Sequence, residues 1–211
     1  MSQLAQKDAT ENYLRSRGVP INPHLPVTES ADELSVATPK QVAWRVCVLS
    51  GLVARACRAP RDLVLRFFES GCLFQHTSEA EAEVVRAEVL TPEQISRFQW
   101  QVEGLWELAW VLSLIPRPDH FKACGNQLIS LVPKPGEAVD AFIECAQMRS
   151  PDELLAEADL LYRLHWAVRD ASLRRQHVPT GLPYKVTDER LRAINWVFFS
   201  NVSWEETDTS T

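Results

Sequence analysis

Apolar residues recur three and four apart through most of this chain, and strand-like alternation is nearly absent. From Thr91 onward, Ile95, Phe98, Val102, Leu105, Ala109 and Leu112 keep that spacing, which predicts one long helix over 91–114, ending before Pro116. Val42, Val46, Leu49, Leu52 and Val53 predict another from Thr38 to Arg58, and a shorter one runs from Pro60 through Leu63, Phe67 and Phe68 to Gly71. Three helix starts share one chemistry. Thr38-Pro39-Lys40-Gln41, Thr91-Pro92-Glu93-Gln94 and Ser150-Pro151-Asp152-Glu153 each place a hydroxyl at the cap, Pro in the first turn, and Gln or Glu three residues on. Residues 77–89 predict a small helix, and further helices are expected over 137–148, 151–174 and from Thr187 to Ser200.

Residues 1–27 read as an N-terminal helix followed by an extended proline-rich arm, Gly18 to Val27, lying across the helices, and 201–211 read as a tail. Gln127 to Val132 is a strand candidate without a visible partner, so at most one minor strand pair is expected. The predicted fold is all-α, a single compact multi-helix domain over 1–211.

Composition supports this picture. Gly is scarce at 7 and Pro plentiful at 13, a balance that suits helices divided by proline-marked loops rather than glycine-turned hairpins. A chain of 211 residues can bury a full core. The net charge of −6 argues against duplex nucleic acid as the main partner and favours a basic protein. Met1 to Thr10 has neither an apolar core nor a cleavage pattern, so no secretory signal is expected. The run from Leu105 to Ile115 is too short to span a bilayer. The 5 cysteines are widely spaced and form no Cys-x-x-Cys, which fits a reducing cytoplasm.

The helix over 151–174 is apolar on nearly every side, yet it carries Asp159, Tyr162, Arg163, His165, Arg169 and Asp170. Such a helix must be central, with its polar groups paired or used. Asp159 and Arg163 stand in the favourable order for an i,i+4 ion pair. An acid–base couple of Asp159 with His165 is disfavoured, because six residues put them on opposite faces. The preferred reading is a structural polar network of Glu103, Asp159, Tyr162, Arg163, His165, Arg169 and Asp170. Glu103 and Glu107 share a face beside Trp106 and Trp110; the preferred reading pairs one with Arg163 or Arg190 and leaves the other solvated. Cys145 reads as a core residue rather than a nucleophile. No HExxH, phosphate loop or Gly-x-Ser-x-Gly is present, so no catalytic residue, metal or cofactor is assigned.

Partner-binding candidates are the acidic helix residues Glu79, Glu81 and Glu83 and the tail residues Trp204, Glu205 and Glu206. Trp204 reads more readily as an anchor holding the tail than as a projecting hot spot.

Several segments carry a family resemblance. They are Arg15 to Ser30 (Arg-Ser-Arg-Gly-Val-Pro-Ile-Asn-Pro-His-Leu-Pro-Val-Thr-Glu-Ser), Trp100 to Leu112, Asp159 to Ala171, Glu189 to Trp196, and Trp204 to Thr209. Together they resemble a bacterial family of unknown function, the domain of unknown function numbered four-two-seven-two. Gln101 stands where that family has a basic residue and Leu191 where it has a histidine, so a titratable cluster built on those positions is incomplete here. The resemblance implies an association with immunity proteins encoded beside toxins delivered by contact-dependent or type VI secretion. The expected function is therefore a cytoplasmic, non-enzymatic immunity protein that neutralises a basic toxin, with a nuclease as the first guess. The alternative is a small-ligand binder or enzyme with a pocket between the 91–114 and 151–174 helices, and a homodimeric scaffold is a third possibility.

Overall fold

A computed structural model of the chain describes residues 2–28, 35–124, 130–177, 181 and 183–211. Among these the fold is all-α. The helices are α1 (Gln3–Ser16), α2 (Pro39–Ala56), α3 (Arg61–Ser70), α4 (Glu79–Arg86), α5 (Pro92–Trp100), α6 (Val102–Val111), α7 (Asp140–Glu144), α8 (Pro151–Leu173) and α9 (Tyr184–Phe198), with a 3₁₀ turn at Leu73–His76. An isolated parallel bridge joins Ser35 to Phe199. The strand candidate is absent at Ser130 to Val132; Gln127, Leu128 and Ile129 lie outside the described residues.

The three expected capping boxes form, at Thr38, Thr91 and Ser150. A fourth joins Ser78 to Glu81 at the start of α4. Each hydroxyl and carboxyl or amide satisfies an otherwise orphaned N–H of the first turn.

The expected long helix over 91–114 is two helices. At Gln101 (φ −62°, ψ −10°) the backbone falls short of helical ψ, and the ladder opens there before resuming as α6. The second half stops at Val111 because Ser113 turns left-handed (φ 62°), which lets Leu114 N–H reach back to Ala109 O at 3.0 Å. α7 is shorter than expected, since Gly136 sits at φ 102° and Val139 offers no side-chain cap. α9 begins earlier, at Tyr184. Thr187 does not cap it, because its hydroxyl donates back to Tyr184 O at 3.0 Å inside the helix.

The chain divides into two compact units. Unit 1 comprises Met1–Ala37, Asp119–Ala123 and Arg149–Thr211; unit 2 comprises Thr38–Pro118 and Cys124–Met148. In unit 2, α2 is the hub on which α3, α4, α5, α6 and α7 pack, and most of its residues are buried. Gly51 is required there, because a Cβ at that position would overlap the fully buried Phe68 ring. In unit 1, α8 packs along α9 and α1 packs on α8. Leu14 and Val19 meet Leu164, Ala167 and Val168, with Trp166, Phe121 and Tyr184 around them. No described helix is long and apolar enough to cross a membrane.

Candidate binding site

Segments of unit 1 that never become helical have main-chain carbonyls with no helical partner, and buried and half-buried side chains supply the donors. Arg163, 2% exposed, is held by Asp159 (Nη2 to Oδ1 2.8 Å), lies 3.5 Å from Glu11, and donates to Pro26 O at 2.9 Å. Lys7 adds bonds to Pro23 O at 2.8 Å and Leu25 O at 2.7 Å. The arm is thus pinned across α1 and α8. Arg190 donates to Asp119 O (3.1 Å) and Lys122 O (2.8 Å), while His120 meets Glu157 at 2.5 Å, so residues 119–123 are pinned to α9 and α8.

The tail is held in the same way. Arg169 donates to Thr211 O (3.2 Å), Arg192 to Thr207 O (3.1 Å) and Asn195 to Asp208 O (2.8 Å), and Thr209 donates its hydroxyl to Asp188 at 2.9 Å. Trp204, 3% exposed, packs edge-on against Trp196 with ring centroids 5.9 Å apart, so it anchors the tail and does not project.

His165 lies fully buried beneath this tail, 5.0 Å from the Tyr184 ring. The Thr187 hydroxyl commits its hydrogen to Tyr184 O, so at 3.2 Å it accepts from His165 Nδ1–H. Burial pulls the imidazole pKa down to about 4; Asp188 opposes the shift, while Arg169 and Arg192 add to it. At neutral pH the ring is an uncharged strut.

Asp159, Tyr162, Arg163, His165, Arg169 and Asp170 therefore do not form one constellation. Asp159 and Arg163 serve the arm, and His165 and Arg169 serve the tail. Asp170 pairs with Arg174 at 2.9 Å on the surface. Glu103 belongs to unit 2, where it is buried and accepts Cys124 N–H at 2.9 Å. Neither Glu103 nor Glu107 is solvated, at 2% and 0% exposure; the local spacing showed their shared face but not its depth. Cys145 is exposed at the end of α7 rather than in the core.

Of the acidic helix, Glu79 and Glu83 are exposed and make no ion pair among the described residues. Glu81 is turned inward at 1% exposure onto buried Arg45, with Arg45 Nη1 bonded to Oε2 at 3.0 Å. It stands three and four residues before Val84 and Val85, both buried, and that spacing was the signal for its direction. Glu206 is exposed and Glu205 half-buried.

What the sequence did not indicate is a hollow of about 460 Å³ in unit 1, bounded by the pinned arm, α8, α9 and the pinned tail. Its walls are chiefly apolar: Val27 from the arm, Leu155 and Ala158 from α8, Phe198 and Phe199 from α9 and just after it, and Val202 beyond. Tyr162, Asn195, Glu206 and Asp208 add polar groups. Burial raises the Tyr162 pKa, Arg163 opposing and Asp159 reinforcing, so its hydroxyl stays protonated. Asp208 is held below the usual carboxylate range, first by the Ser210 hydroxyl and then by the Ser210 amide. The helices named for the alternative pocket, 91–114 and 151–174, fall in different units, and the hollow lies wholly within unit 1. Among the described residues no group of three or more His, Cys, Asp or Glu is placed to hold a metal ion.

Fold and site together define a helical protein in which interior charges hold irregular chain in place around an apolar hollow. The family model described as Domain of unknown function (DUF4272) matches residues 6–207, and the chain belongs to that family. No curated protein and no solved structure matches the chain.

Proposed function

We propose that this protein acts by binding rather than catalysis, as a cytoplasmic immunity protein that neutralises a co-encoded toxin of the type VI or contact-dependent kind. The observation that carries the reading is the division of charge. In unit 1 the interior ionisable groups are engaged in holding the fold: Arg163 by two carboxylates and a carbonyl, His165 buried and neutral. Glu79 and Glu83, one helical turn apart on the exposed face of α4, present unneutralised carboxylates within a chain of net charge −6. Such a surface suits a basic partner, and nucleases have basic substrate clefts that an acidic protein can plug.

Co-expression with the product of the adjacent gene is the test. A complex that co-purifies and protects the cells supports the reading. The double substitution Glu79→Lys/Glu83→Lys should then weaken binding by about tenfold or more and flatten its salt dependence. Absence of both complex and protection would sink the proposal.

A further inference from the structure

The hollow in unit 1 combines three properties that together specify a ligand. Its size falls in the range of small-molecule sites, at about 460 Å³. Its walls are mainly apolar, and two of them, Val27 and Phe199, remain 39% and 38% exposed with nothing described covering them. Its charge is one-sided: Glu206 and Asp208 line it, and among the described residues no Lys, Arg or His does.

The carboxylates are only partly engaged. Glu206 accepts the Ser203 hydroxyl through Oε2 (2.7 Å), and Asp208 accepts the Ser210 amide (2.8 Å) and hydroxyl (2.5 Å) through Oδ1. The Thr209 amide also acts on the Asp208 carboxylate, whereas Oε1 of Glu206 makes no hydrogen bond among the described residues. Arg169, the cation that acts on Asp208, donates to Thr211 O. The Tyr162 hydroxyl, on the α8 wall, likewise has no hydrogen-bond partner among the described residues.

We propose that this hollow is a binding site for a small organic cation, an amine carried on an apolar body of about two fused rings. The body lies against Leu155, Ala158 and Phe198, and the ammonium bonds Oε1 of Glu206 beside the negative charge of Asp208. Neutral ligands of the same shape keep the wall contacts and lose the charge-assisted bonds. Anionic ones face two like charges. None of its lining residues belongs to α4, so the test of this site does not depend on toxin binding.

The test is calorimetry on the full chain with three probes of one shape: 1-naphthylmethylamine, 1-naphthalenemethanol and 1-naphthoate. The amine should bind one-to-one and about tenfold tighter than the alcohol, with the naphthoate weakest, since a charge-assisted bond contributes roughly tenfold in affinity. Glu206→Gln leaves the Asp208 turn intact and should weaken the amine about threefold without altering the alcohol. Ala158→Phe, which fills the hollow, should abolish binding of both while the helical signal by circular dichroism is retained. Three results would each overturn the proposal: no saturable amine binding, amine no tighter than naphthoate, or amine binding that survives Ala158→Phe.

Discussion

Units 1 and 2 both carry long-range donors from side chain to main chain, and they use them for different ends. In unit 2 most of them finish helices: Arg61 caps Arg86 O (2.9 Å) at the end of α4, Arg55 bonds Ala87 O (2.8 Å) just beyond it, and Gln99 bonds Ala56 O (3.3 Å) at the end of α2, while Ser50 holds irregular chain at Pro133 O (2.6 Å). In unit 1 they hold chain that never becomes helical, at Pro26, Asp119, Lys122, Thr207 and Asp208. Unit 2 therefore coheres mainly through apolar packing on α2. Unit 1 depends on buried charges whose loss would free the arm, the tail or both.

The largest expected effect breaks unit 1. Arg163→Met should cost about 3–5 kcal/mol in urea melts, because Asp159 would be left buried without its cation and the arm would lose the bond at Pro26 O. A cost under 1 kcal/mol would remove the pin from the account. Acid sharpens the same contrast through His165. Its folded pKa of about 4 lies below the unfolded 6.5, so the unfolded chain takes up the proton first. This contribution is complete above pH 6.5 and falls away as the pH drops toward 4, by roughly 3 kcal/mol for the single group. His165→Asn should flatten that window relative to the parent chain. Equal slopes in the two proteins would contradict a neutral buried imidazole.

A smaller effect probes unit 2. Gly51→Ala should destabilise by about 1–3 kcal/mol, the overlap with Phe68 outweighing the better helix propensity of alanine. A gain in melting temperature would show that α2 and α3 have slack. Thr38→Ala should cost about 1 kcal/mol through its lost cap, and an unchanged melting curve would show that Pro39 alone sets that helix start.

Local rules were legible in the sequence, and nonlocal ones were not. Hydroxyl, proline and Gln or Glu at fixed offsets located three helix starts, and the i,i+4 order of Asp159 and Arg163 announced their pair. The anchoring of Trp204 also followed from its apolar bulk among polar neighbours. The break at Gln101 left no mark on the apolar spacing, which continues through it. The pairings of Glu11 with Arg163, Arg45 with Glu81 and His120 with Glu157 join residues far apart in the chain, which no periodicity encodes. The hollow escaped for the same reason: arm, helices and tail make it jointly.

One feature of the fold bears on how the protein is made. Unit 1 is assembled from three stretches of chain, and the whole of α2 to α7 intervenes between the first and the last. On the ribosome, α1 leaves the exit tunnel before α2 to α7, and α8, which buries Leu14, emerges only after them. The inserted helices have their partners nearby and can condense while α1 waits with Leu14 uncovered. A nascent chain stalled before residue 149 would therefore hold a condensed middle and an α1 still without its partner helix.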